Sequence, residues 1–99
     1  MNDIELQPNK FYKQPERDKI KVGQSLYFNL KVKNEQGQNA WQTFKARVRI
    51  RYADSFAIAF TQDGTERWAT FPKRALYVNR KDAEADTQNE PRKRLFDEN

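Results

Sequence analysis

Nine consecutive residues, Phe44 to Tyr52, alternate apolar and basic without a break: Phe44, Ala46, Val48, Ile50 and Tyr52 are interleaved with Lys45, Arg47, Arg49 and Arg51. A helix, repeating about every 3.6 residues, would smear that pattern around its circumference. A strand sends successive side chains to opposite sides and keeps it intact. The stretch therefore predicts a strand with one oily face and one cationic face, in a sheet buried on one side.

Neighbouring segments follow the same rule. Leu26-Tyr27-Phe28-Asn29-Leu30-Lys31-Val32-Lys33 places apolar residues at even positions, another half-buried strand. Asn34 to Asn39 has the composition of a turn or short loop. Phe56-Ala57-Ile58-Ala59-Phe60 is apolar on both faces, and Asp63-Gly64 is a two-residue hairpin signal leading to a returning strand, Glu66 to Phe71. Pro72 lacks the N–H that would extend the ladder. Lys73-Arg74-Ala75 then suits one helical turn before a short last strand, Leu76-Tyr77-Val78. In the second strand Phe44 through Tyr52 are expected to face the core at every apolar position, and Trp68 is expected in the core or at its margin.

These strands must form the whole core, because only 36% of the 99 residues are hydrophobic and 33% are charged. Residues 1–19 read as a polar arm docked through Phe11 and Tyr12, residues 20–80 as the folded domain, and residues 81–99 as a polar tail. From Asp82 to Glu90 the tail lacks an apolar face and is expected as a loose helix or disordered. The chain has no Cys and no His, which removes disulfides, thiolate metal sites and the commonest general base. No glycine-rich phosphate loop and no nucleophile–base pair occurs, so neither catalysis nor a cofactor nor a metal site is expected. No apolar run is long enough for a membrane span, and a soluble, cytoplasmic, regulatory or accessory protein is the expectation.

The order of these elements resembles that of the SH3-like small β-barrels, of the Tudor and KOW kind. Val22-Gly23-Gln24-Ser25-Leu26-Tyr27 is similar to their entry into the first strand, and Phe44-Lys45-Ala46-Arg47-Val48 to the core of the second. Phe60-Thr61-Gln62-Asp63-Gly64 and the Pro72 to Val78 segment complete the likeness, over about sixty residues that include neither end. The resemblance implies an all-β fold: a five-stranded barrel with a short helical turn before the last strand and polar terminal extensions. It does not imply a function. Of the aromatic cage with which some Tudor domains hold methylated side chains, only half is present. Phe44 and Phe60 occupy cage positions but have core parity, while the other positions fall near Leu30 and Asp63.

Charge points to a partner. Residues 17–51 carry nine basic residues against Asp18 and Glu35, within a chain of net charge +5. If the apolar set of the second strand faces inward, Lys45, Arg47, Arg49 and Arg51 form one outward row, joined by Lys31 and Lys33 on the preceding strand. Like charges facing each other across strands destabilise a sheet, and phosphate oxygens would relieve that repulsion. Tyr27, Trp41 and Tyr77 fall on the same parity, and single-stranded nucleic acid needs both cations for its backbone and rings for its bases. The expected function is binding of RNA or single-stranded DNA through this face. The alternative is a protein-interaction module or inhibitor docked on a larger partner, for which Leu95 and Phe96 in the tail offer a docking peptide. A charged outer face can also serve only as a solvated guard against aggregation.

Overall fold

The computed structural model describes residues 5–88. Four strands, β1 (Ser25–Lys33), β2 (Asn39–Arg51), β3 (Ser55–Gln62) and β4 (Thr65–Pro72), form one antiparallel sheet in chain order. A single 3-10 turn at Lys73–Ala75 follows, and then helix α1 (Arg80–Gln88). The β3–β4 hairpin turns on Asp63 and Gly64, with φ of 53° and 78°, the paired left-handed conformations of a type I′ turn. In the β1–β2 loop the Asn34 carboxamide oxygen accepts hydrogen bonds from the amides of Gln36 and Gln38 at 3.0 and 2.9 Å.

Four phenylalanines, one from each strand, hold the buried face together. The Phe28 ring stacks on Phe44 at 5.5 Å between centroids and meets Phe60 and Phe71 edge-on, each at 4.9 Å. Leu26, Val48, Phe56, Ile58 and Leu76 are completely buried around them. Contact between Phe28 on the first strand and Phe71 on the last requires a strongly curled sheet, as the right-handed twist of strands favours.

The sheet does not close into the expected five-stranded barrel. Tyr77, expected in a fifth strand, makes one isolated bridge to Tyr27, with N···O distances of 3.0 and 2.7 Å. The strand goes no further because a helix begins immediately after it. The Asn79 side chain accepts the Asp82 amide at 2.9 Å, the hydrogen bond of a helix N-cap. A second bridge, Leu6 to Leu30, lays the N-terminal arm on the same edge of β1. Together the two bridges cover backbone groups that would otherwise present an open pairing edge. In the arm, Tyr12 is half-buried with its ring 6.5 Å from that of Tyr77, whereas Phe11 is exposed.

The segment expected as a loose helix or disordered is helical over Arg80–Gln88, and it packs against the outward side of β1 and β2. Its inward residues, Ala83 and Asp86, are small or polar. What holds it is a buried polar layer. Asn29, wholly inaccessible to solvent, donates from its amide nitrogen to Gln7 Oε1 at 2.6 Å and to the Ala83 carbonyl at 2.9 Å, and its oxygen accepts from Thr43 Oγ1 at 2.6 Å. Gln7 donates to the Asp86 carbonyl at 3.1 Å, and the Tyr77 hydroxyl donates to the Asp86 carboxylate. Among the described residues no helix is long and apolar enough to cross a membrane.

Burial pushes the Tyr77 phenol well above its ordinary value near 10, and the Asp86 carboxylate that accepts its hydrogen bond pushes it further. In the unfolded chain the same phenol ionises near its ordinary value, so above about pH 10 the unfolded state is favoured and stability falls. Tyr77→Phe is expected to cost about 1–3 kcal/mol near pH 7 through the lost buried hydrogen bond. The gap between wild type and variant should narrow above pH 10, as read from urea denaturation at both pH values.

Candidate nucleic-acid interface

The outward side of the sheet is built by parity from the core. Opposite Leu26, Phe28 and Leu30 on β1 stand Tyr27, Asn29 and Lys31. The β1–β2 register pairs these with Lys45, Thr43 and Trp41 respectively. Helix α1 and the arm occupy the β1 half of this surface. Arg80 lies 5.4 Å over the half-buried Tyr27 ring, and Asn29 and Thr43 are committed to the polar layer. Lys31 forms an ion pair with Glu5 at 3.3 Å and stands 5.1 Å over the Trp41 ring. Lys33 is exposed at the end of β1, opposite Asn39.

Tyr77 does not join these residues. It is completely buried and its hydroxyl is engaged by Asp86, so it offers no ring to a ligand. Arg51 also leaves the row. The β2–β3 register slips between Val48 and Ile50, so that Val48 pairs with Ile58 and Ile50 with Ala57, leaving Arg49 as the extra residue of a β-bulge. Beyond the bulge the parity is inverted. Ile50, expected in the core, is 43% exposed on the outward side, and Tyr52, beyond the strand, is also exposed. Arg51 turns the other way and donates to the carbonyls of Arg17 and Ile20 at 3.1 and 3.2 Å, closing the end of the core.

Lys45, Arg47 and Arg49 remain together, all exposed on the outward side. Among the described residues none of the three forms an ion pair. Beside them stands a ring outside the expected set of site residues. Trp68 is 55% exposed on β4 rather than buried, and the Arg49 guanidinium lies 5.0 Å from its centroid. Arg47, Ala59 and Trp68 form one cross-strand row, and the small Ala59 side chain leaves room for the long side chains that flank it. Parity alone could have located Trp68: counting back from the core residue Phe71 turns Ala69 inward and Thr70, Trp68 and Glu66 outward.

β2 pairs with β3 only from Arg47 onward, so the two hairpins diverge beyond that point. They leave an open groove of about 920 Å³, along which lie Lys45, Arg47, Arg49, Ala59, Asp63 and Glu66. Phe44 and Phe60 reach this groove only as buried rings 5.8 Å apart, packed edge to face on each other. They leave no aromatic cage between them. No group of three or more His, Cys, Asp or Glu side chains among the described residues is arranged to hold a metal ion. The chain matches no family model, and neither a curated protein nor a solved structure matches it significantly.

The inverted parity separates two chemically similar residues. Arg51→Ala should lower stability by about 1 kcal/mol or more, through two lost charge-assisted hydrogen bonds. Arg47→Ala, on the open face, should change it by less than about 0.5 kcal/mol. Chemical denaturation of both variants checks this, and equal effects would contradict the bulge.

Proposed function

We propose that the chain is a binding module for single-stranded nucleic acid, RNA or DNA, which it grips along the outward side of β2 and β4. One observation carries this reading: three adjacent cations that form no ion pair among the described residues, Lys45, Arg47 and Arg49, line an open groove beside the exposed Trp68. Cations spaced along a strand can follow a phosphate backbone, while an exposed indole offers a base a stacking surface worth roughly 1–3 kcal/mol. Arginine can also engage phosphate in bidentate fashion. Lys33 and Trp41 lie at the far margin of this surface and would add contacts to a longer strand. The role that follows is regulatory or accessory, since binding of this kind involves no bond-breaking chemistry. The SH3-like order of elements, with its last strand reduced to the Tyr27–Tyr77 bridge, is compatible with this reading.

The exposed Ile50, on the same side as these cations, supports a second reading, a module that docks on an acidic, partly apolar surface of a larger protein. Salt dependence distinguishes the two readings. With three phosphates neutralised, log K should fall with log salt at a slope of about −2, at roughly −0.7 per single-strand phosphate. Filter binding of RNA and DNA oligonucleotides between about 50 and 200 mM salt measures that slope. The double variant Arg47→Glu, Arg49→Glu should abolish retention while its circular dichroism spectrum stays unchanged. Failure of the wild-type chain to retain any single strand at low salt would remove the nucleic-acid reading.

A further inference from the structure

The groove is not uniformly basic. Glu66 lines it together with Lys45, Arg47 and Arg49, and it is exposed. Among the described residues it forms no ion pair. A carboxylate in a site for a polyanion repels its ligand unless the ligand supplies hydrogen-bond donors. Glu66 stands two residues before Trp68 on β4, so the two side chains share a face with their Cα atoms roughly 6.6 Å apart. That spacing suits a base lying on the indole with its hydrogen-bonding edge turned toward the carboxylate.

We propose that this pair reads guanine: the base stacks on Trp68, and Glu66 accepts the two hydrogen bonds of its Watson–Crick edge. The proposal rests on the nucleic-acid reading above and specifies its ligand. An ionised carboxylate accepts only, through two oxygens side by side. Guanine presents two adjacent donors on that edge, N1–H and the N2 amine. Adenine and cytosine present one amine beside a bare ring nitrogen, whose lone pair would oppose the carboxylate. Uracil and thymine present a single N–H between two carbonyl oxygens. Splayed single-stranded bases are read on this edge while they stack on aromatic side chains. Arg49, whose guanidinium already lies 5.0 Å from the indole centroid, is the complementary donor for O6 and N7, the commonest specific contact that arginine makes with guanine.

Fluorescence anisotropy with labelled oligothymidylates of about ten nucleotides, a length within the usual range of single-strand sites, tests the assignment. Each probe carries one central guanine, inosine, adenine or cytosine. The guanine probe should bind about tenfold more tightly than the adenine or cytosine probes, on the scale of one mismatched base. Inosine, which lacks the N2 amine, should fall between them. Glu66→Gln presents a single acceptor oxygen and removes a negative charge. It should lose the guanine preference and bind plain oligothymidylate more tightly, with an unchanged circular dichroism spectrum. Equal binding of all four probes by the wild-type chain, or a guanine preference that survives Glu66→Gln, would overturn the assignment and leave the nucleic-acid reading intact. Absence of binding to every probe at low salt would overturn both.

Discussion

Phe28 meets Phe44, Phe60 and Phe71, one ring from each of the other three strands, and this contact sets the register of the whole sheet. Because side chains alternate along an unbroken stretch of strand, a slip of one residue in any of the four would carry its ring to the opposite surface. With the rings held inside, Lys45 and Arg47 have only the outward side available. The candidate interface is thus a consequence of core packing: the energy that buries the phenylalanines also holds the cations in the solvent. Truncating a ring of this size in a core typically costs about 3–5 kcal/mol, far more than the repulsion among three exposed cations.

A second layer decides how much of the outward side stays open. Asn29 lies between two strand neighbours that are both core residues, Phe28 and Leu30, and it is buried only because α1 and the arm cover it. Buried amides and hydroxyls are tolerated when each finds a partner. Here Asn29, Gln7, Thr43, Tyr77, Asp86 and the Ala83 carbonyl satisfy one another across four segments of the chain, the arm, β1, β2 and residues 77–86. This layer buries Asn29 and half-covers Thr43, Arg80 of α1 lies over the half-buried Tyr27, and the exposed face is left on β2 through β4. Arg49 then owes its position beside Trp68 to the β-bulge, which supplies the local bend that such irregularities give a strand.

Much of this was legible in the sequence. The alternation in residues 26–33 and 44–48 gave the facing of β1 and the first part of β2, Asp63-Gly64 gave the hairpin, and Pro72 with the turn after it gave the end of the sheet. The bulge was not legible, because an extra residue on one strand leaves the apolar–basic alternation unbroken while inverting the direction of the side chains after it. For that reason Ile50 was expected in the core and Arg51 on the interface. Tyr77 is expected on the ligand face because it shares the parity of Tyr27 and Trp41, and its burial was not legible because its hydroxyl partner, Asp86, lies in a helix with no apolar stripe to announce that it packs. Trp68 is a different case. It is expected in the core or at its margin, although its parity relative to Phe71 already turns it outward. The tail residues Leu95 and Phe96, expected as a docking peptide, lie outside the described residues.

The proposed interface requires one ligand to bridge β2 and β4 across Ala59. Nuclear magnetic resonance of the arginine Nε–H and tryptophan indole N–H groups, followed while a short single-stranded oligonucleotide is added, tests it most directly. Arg47, Arg49 and the Trp68 indole should shift together and saturate at one stoichiometry, while Arg51 and the amides of α1 stay in place. Shifts centred on Arg51 and α1, with the Trp68 indole unmoved, would contradict it.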